Sequence, residues 1–373
     1  MDAPATTNGA APQNSAAGTT RGTFESNQPL SAGAAVEIGL SAAIITVRDD
    51  EPEVLTLPAG GAGHLPNQLK PPLPALPSGP YDPGKHSSLD AGLRAWVEYQ
   101  TGLDLNYVEQ LCTVAGTSVP HRQPAESGFN HTISVGYFAL VRPEASSQIM
   151  EGASWLSWYE FLPWEDWRDG KPAILTDTIE PLLEEWAGEN DFVADTAAAG
   201  AHGATDGRAD RLHIAFGMDG GSWDEEKVLE RFSILAEAGL IAEEAATEDL
   251  VGDWNGRRHP KLGQPLAISQ RRLLATAIGR VRGKIKYRPV IFELMPDEFT
   301  LFELQKTVEA ILGPHLHKQN FRRLVESAGL VEATGEVRVK TGGRPARLYR
   351  FRRQVLLERP SPGVRVNLGR NLS

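Results

Sequence analysis

Residues 299–351 read "FTLFELQKTVEAILGPHLHKQNFRRLVESAGLVEATGEVRVKTGGRPARLYRF". Thr300 followed three residues later by Glu303 predicts a capped helix start, in which hydroxyl and carboxylate each satisfy a backbone N–H. Leu301, Leu304, Val308 and Ile311 recur at i, i+3, i+7 and i+10 and predict one apolar stripe. Gly313-Pro314 ends that helix. A second helix is expected over about 317–328, with Phe321, Leu324, Val325 and Ala328 on its apolar face. Its remaining positions hold Lys318, Gln319, Asn320, Arg322 and Arg323. "LVEAT", "EVRVK" and "RLYRF" predict short strands, with "TGGRPA" between the last two. Helix, short turn, helix and β-hairpin make a winged helix-turn-helix. In that plan the second helix lies in a major groove, where arginine reads guanine and asparagine or glutamine reads adenine. Lys318, Arg344 and Arg347 are then placed to hold phosphates. Surface cations are more often a solvated helix face, but here spacing, amide partners and a basic hairpin coincide.

The charge distribution agrees. The 373 residues carry a net charge of −11, which suggests no nucleic-acid partner. Residues 271–353 alone carry +10, and residues 1–270 carry −23. An acidic module joined to a basic one is expected. The helix predicted over 268–288, "ISQRRLLATAIGRVRGKIKYRP", is basic and ends at Pro289. It reads as a linker helix whose Arg280 and Arg282 touch DNA phosphate or a partner subunit. The domain boundary falls near 288–297, giving a sensing domain over 35–290, a winged helix over 291–355 and a tail over 356–373.

Further upstream, "VEIGLSAAIITV" (36–47), "EVLTL" (53–57) and "HTISVGYFALVRP" (131–143) read as strands. "SWLSWYEFLPWEDW" (154–167) holds four tryptophans, which line a ligand surface or, more commonly, a core. "IEPLLEEWAG" (179–188) predicts a helix, and the Ala/Gly-rich residues near 188–210 a flexible insertion. Val228, Phe232, Leu235 and Leu240 predict another amphipathic helix. Residues 1–34 are poor in large apolar side chains and read as a disordered tail. No run of 18 apolar residues occurs, and the N-terminus lacks a secretory pattern. The single cysteine, Cys112, excludes an intramolecular disulfide and reads as a buried, inert thiol. A soluble protein of a reducing compartment is expected.

"HSSLDAGLRAWVEYQTGL" (86–103) predicts a helix from Leu89 to Gln100, capped by Ser87 or Ser88 and ended by Gly102. With Gly102-Leu103 as anchor, it is similar to the metal-binding helix of Nudix pyrophosphatases, whose box is G-x5-E-x7-R-E-U-x-E-E-x-G-U. The carboxylates of that box assist attack on a pyrophosphate through metal. Here the corresponding positions are Ser87, Ala95, Trp96, Val97, Tyr99 and Gln100, so the metal cluster is absent from the box. "LPSGPYDPG" resembles the loop before the box and "ISVGYFALV" a strand of the same fold.

Together with "RGKIKYRPVIFELMPDEFTLFELQ" and "NFRRLVESAGLVE…GRPARLYRF", the chain resembles the Nudix-related transcriptional regulators, NrtR, over roughly 36–351. It is most similar to their NadQ branch. The family's recognition stretch matches Asn320, Phe321, Arg322 and Arg323, and its wing motif matches Gly343, Arg344 and Pro345. The resemblance implies an α/β/α sandwich with a mixed sheet, followed by a winged helix-turn-helix. It also implies a cytoplasmic, bacterial, homodimeric repressor of NAD-biosynthesis genes, nucleoid-associated when bound to double-stranded DNA. A tetramer is left open. The effector would be an adenine nucleotide such as ADP-ribose, NAD or ATP, with no metal and no catalysis.

Losing the carboxylates removes charges that would repel a diphosphate. Lys85, His86 and Arg94 lie in or beside the former metal site and Arg48 ends a strand, so these are the phosphate-binding candidates. Each is more readily read as a solvated surface residue. Tyr99 and Trp158 could stack on an adenine, though core packing is the commoner use of both. Two other readings stand beside the repressor. One is an atypical Nudix hydrolase using acids such as Asp82, Asp90 and Glu98. The other is a nucleotide-binding scaffold whose winged helix contacts protein.

Overall fold

The run from Ser41 to Val47 is small or apolar at nearly every position, as a strand covered on both faces requires. In the computed structural model it forms the middle of β1 (Val36–Arg48), the central strand of a seven-stranded sheet. The structure describes residues 36–58, 73–116, 131–197, 207–241, 253–254, 257–258, 260–267, 269–339, 345–358 and 363–364. β1 turns into β2 (Glu51–Pro58) through Asp49 and Asp50, both at positive φ, 50° and 64°. That backbone matches a two-residue I′ hairpin turn, in which Asp is tolerated. The other strands are β3 (Pro74–Ala75), β4 (Ser78–Pro80), β5 (Tyr107–Gly116), β6 (His131–Leu140) and β7 (Ser154–Ser157). Their order is β3-β2-β1-β6-β5, with β4 added to β1 and β7 to β2. β1 and β6 run parallel while the remaining pairs are antiparallel, so the sheet is mixed.

Alternate residues of β1 enter different cores. Leu40, Ala42 and Ile44 pack with Leu93 and Val97 of α1 (Leu89–Thr101). Ala43, Ile45 and Val47 face a larger core. It is built with α2 (Trp158–Phe161), α3 (Glu180–Ala197), α4 (Arg208–Phe216), α5 (Val228–Glu237) and α6 (Gln270–Tyr287). The result is the expected α/β/α sandwich. Ser88 caps α1, and Gly102 ends it with φ 74°, a left-handed conformation that glycine adopts without a Cβ penalty.

α7 (Leu301–Leu312) starts with the predicted capping box, Thr300 with Glu303, and buries the whole expected stripe. α8 (Lys318–Ser327) follows, then β8 (Val331–Arg338) and β9 (Ala346–Phe351), an antiparallel hairpin. Phe299 and Tyr349 exchange two backbone hydrogen bonds of 2.9 and 2.8 Å, tying the hairpin to the segment that enters α7. Helix, turn, helix and hairpin are therefore as predicted.

Several expectations change. "LVEAT" and "EVRVK" are one strand, because Gly335 at φ 91° lets β8 continue through an irregularity in its pairing. Of the segment near 188–210, the described residues are mostly helical: α3 runs to Ala197 and α4 starts at Arg208, and 198–206 lie outside the described residues. The helix over 268–288 is no exposed linker. Leu274, Ile278, Val281 and Ile285 are fully buried, and Arg271 and Arg282 lie on the same buried face. The proposed boundary is packed as well, since Val290, Ile291, Phe292, Leu294 and Met295 are all buried. Ala35–Ser373 accordingly form one compact unit. The C-terminal tail returns to it: Val364 is fully buried and its N–H donates to Ile285 O at 2.8 Å. The expectation for residues 1–34 falls outside the described residues. No helix among the described residues is long and apolar enough to cross a membrane. Cys112 is half-buried, and burial pushes its thiol up.

Candidate nucleic-acid interface

α8 is held by its inner face and open on its outer one. Phe321 and Val325 are buried, each contributing roughly 1.5–3 kcal/mol of apolar burial. Lys318, Gln319, Asn320, Arg322 and Arg323 are all exposed, and none forms an ion pair among the described residues. A run of solvated cations and amides on a rigid helix can donate to phosphates and to base edges together. Arg347 on β9 is exposed and likewise has no ion pair among the described residues, whereas Arg350 is committed to Glu332 (2.6 Å) and Arg338 to Glu303 (2.7 Å). Arg344 lies outside the described residues.

The turn into α8 is braced by Glu309, which the sequence reading did not single out. Its carboxylate accepts Leu316 N–H (3.0 Å), Gln305 Nε2 (2.7 Å) and Lys306 Nζ (3.0 Å), with His315 Nδ1 at 3.2 Å. Gln305 also donates to Leu316 O at 2.8 Å. Burial alone would raise the Glu309 carboxyl, but the N–H of Leu316 and the side-chain donors outweigh it and hold it below the ordinary glutamate range.

The two arginines of α6 read as DNA contacts differ in exposure. Arg282 is completely buried. Its guanidinium donates to Glu165 Oε2 (2.6 Å), Glu165 O (3.1 Å), Glu225 O (3.2 Å) and Ile311 O (2.8 Å). Glu165 also receives a two-pronged contact from the buried Arg231, at 2.7 and 2.9 Å. Desolvation opposes the Glu165 charge, yet the two guanidiniums prevail and its carboxyl lies below the usual range. Arg282 can reach no ligand. Arg280 is part-exposed and lies 3.4 Å from Glu109, to which Lys284 also donates.

The nucleotide candidates occupy separate places. His86 Nδ1 accepts Asp82 N–H at 3.1 Å, and the ring packs on Gly92, where a Cβ would stand only 2.9 Å away. Lys85 is exposed and pairs with Asp82 at 3.0 Å. Arg94 pairs with Asp90 at 2.8 Å and donates to Leu105 O. These three surround the start of α1. Arg48 is bound to Glu53 at 2.5 Å, at the opposite end of β1. Gly92 meets Leu40, so at about 3.3 Å per residue Arg48 lies roughly 25 Å along the strand from His86. One phosphate cannot reach both. Tyr99 is 75% exposed and edge-on to Trp96, ring centroids 6.1 Å apart. Trp158 is fully buried in the core, which rules out stacking on a base; all four tryptophans of its segment are core.

The former box positions have a structural use that sequence reading missed. Trp96 lies against Gly79 of β4, where a Cβ would stand 2.3 Å from its ring, and donates to Pro80 O at 2.8 Å. The Gln100 amide accepts Ser78 N–H (3.1 Å) and donates to Ser78 O (2.9 Å). An indole and an amide thus dock α1 onto β4.

Residues 291–351 match the family model described as the NrtR DNA-binding winged helix domain. A curated relative, the ADPR responsive transcriptional repressor NtrR of Acinetobacter baylyi, is 44% identical over 86 residues, 23% of this chain and 34% of that protein. The match spans about a third of that relative's length. Among solved structures, Shewanella oneidensis NrtR complexed with a 27mer DNA is similar at 21% identity and a TM-score of 0.48, over 85% of this chain and 94% of that one. The NUDIX domain of the same NrtR complexed with ADP ribose is similar at 22% identity and a TM-score of 0.26, over 37% of this chain and 84% of that one. The resemblance to the NrtR regulators rests on the winged helix, where the family model and the fold coincide.

Proposed function

We propose that this chain is a ligand-responsive transcriptional repressor of NAD-biosynthesis genes. Its winged helix reads double-stranded DNA, and its sandwich domain takes an adenine nucleotide in place of metal-assisted hydrolysis. The observation that carries the reading is the outer face of α8, where Lys318, Gln319, Asn320, Arg322 and Arg323 are exposed on a helix anchored by Phe321 and Val325. The family match over 291–351 supports the DNA partner. The name of the Acinetobacter relative supports ADP-ribose as the first nucleotide to test, with NAD and ATP behind it.

In this reading a homodimer lays the α8 of each subunit in successive major grooves. A nucleotide releases DNA by binding one dimer arrangement more tightly than the other. Tyr99, with its ring open to solvent, and Lys85 are the candidates best placed to meet a base and a phosphate. Of the acids that a hydrolase would use, Asp82 is engaged by Lys85 and Gly84 N–H, and Asp90 by Arg94. The test is fluorescence anisotropy of labelled DNA from upstream of this gene and of NAD-biosynthesis genes, against random competitor DNA, with ADP-ribose, NAD and ATP titrated in turn. Specific binding reversed by one nucleotide is expected. Binding no tighter than to random DNA, together with magnesium-dependent release of AMP from ADP-ribose, would replace the repressor with the hydrolase.

A further inference from the structure

The C-terminal end of α7 is finished by side chains from the sandwich domain. A helix leaves its last carbonyls without intrahelical donors. For Ala310 the natural donor would be residue 314, which is a proline and has no N–H. Tyr159 supplies the missing donor: its hydroxyl donates to Ala310 O at 2.9 Å from a buried position. Arg282 supplies the next, Nε donating to Ile311 O at 2.8 Å. Gly313, at φ 98°, then carries the chain past Glu165 O and Trp167, where a Cβ would meet both at 3.4–3.5 Å. Tyr159, Glu165 and Trp167 all belong to the tryptophan-rich segment after β7, and β7 pairs with β2 of the sheet. Two adjacent peptide groups at the turn into α8 are thus fixed from outside the winged helix.

We propose that Tyr159 and Arg282 are positioning residues for DNA recognition: by capping Ala310 and Ile311 they set the angle at which α8 is presented. The proposal rests on α8 being the recognition helix. It gives the sandwich a direct mechanical hold on that helix, through a segment paired to its own sheet.

The test uses full-length Tyr159→Phe, which removes one hydroxyl and keeps the ring. Two duplexes are used, one from upstream of this gene and one of random sequence and equal length. Leaving the buried Ala310 carbonyl without its donor loosens the presentation of α8, so specific affinity is expected to weaken roughly five- to tenfold, about 1–1.4 kcal/mol. Affinity for random DNA and its salt slope should stay unchanged, because the α8 cations remain exposed. A loss of folded protein would lower both affinities together and leave their ratio intact. An unchanged ratio in a variant that binds random DNA as tightly as the native protein overturns the proposal. Hydrogen exchange without DNA gives a second readout: amides over 315–320 should lose protection in Tyr159→Phe while those of β1 and β6 do not. Equal protection there also overturns the proposal. If the native protein shows no preference between the duplexes, the recognition-helix reading itself has failed and the positioning role falls with it; hydrogen exchange then reports only whether the cap is structural.

Discussion

Two basic helices in this chain do opposite things. α6 carries six cations in 18 residues, and α8 carries three in 10. By charge alone α6 is the better candidate for nucleic acid. Yet five of its six cations meet carboxylates or carbonyls of the protein itself: Arg271 with Leu262 O, Arg280 and Lys284 with Glu109, Arg282 with Glu165, Lys286 with Glu225 and Glu226. Those of α8 meet solvent. A cation is available to DNA only where the fold has not already neutralised it, so the direction a helix faces outweighs how many charges it holds.

The largest effect that should separate the two helices comes from Glu165. Glu165→Ala would strand two fully buried guanidiniums, Arg231 and Arg282. Removing one partner of a buried ionic cluster costs about 3–5 kcal/mol, and urea unfolding should show a loss of that order. A loss below about 1 kcal/mol would mean that water reaches the cluster, and that α6 is less interior than its burial implies.

Arg322→Ala and Arg323→Ala should reverse the pattern. Each is expected to cost about 1–3 kcal/mol of specific DNA affinity if it reads a base, or to lower the salt slope by about one if it holds a phosphate. Stability should stay within about 0.5 kcal/mol, because both side chains are solvated. Anisotropy and thermal melting on the same samples check both halves. Intact affinity in the double variant would remove α8 from the interface.

Acid should act on the turn between α7 and α8 before neutral pH does. Glu309 has a carboxyl depressed by its donors, so its stabilisation is present above the ordinary glutamate pKa and is lost as pH falls through the lower folded value. Glu165 is depressed as well and loses its contribution in the same direction. Glu309→Gln should therefore flatten the fall in stability below about pH 4.5, with about 1–3 kcal/mol less stability near neutrality for the lost charged hydrogen bonds. An acid limb as steep as that of the native protein would assign the effect to Glu165 or other carboxylates.

Much of this was legible in the sequence, and what was not has physical causes. The winged helix was readable because capping, stripe and breaker agree at 300–314. β1 and β6 were readable because both faces are buried. β5 was not, since its residues are largely half-buried or exposed and its pairing slips between Gln110 and Cys112, which blurs any alternation. α6 was found as a helix but misjudged in role, because a charge count does not register phase. Arg271 and Arg282 stand in register with Leu274, Ile278, Val281 and Ile285, a spacing that already put them on the buried face. The acid that pairs with Arg282, Glu165, lies more than 100 residues upstream in a tryptophan-rich segment, where no local pattern points to it. The proposed nucleotide site is the least legible part: its candidates rest on proximity to the box-like helix alone, and the fold separates Arg48 from the rest.

Arg280 offers the smallest and sharpest contrast, because it is the one cation of α6 first assigned to DNA that solvent still reaches. Its 3.4 Å contact with Glu109 is long, and Lys284 holds the same carboxylate, so the pair adds little. Arg280→Ala should change stability by less than about 0.5 kcal/mol, the usual range for a surface substitution. If DNA is read by α8 alone, the affinity and salt slope of Arg280→Ala should match the native protein within error. A slope lower by about one would show that α6 reaches a phosphate from its exposed edge. The two helices would then differ in degree, with a single solvated arginine enough to bring the interior helix into the interface.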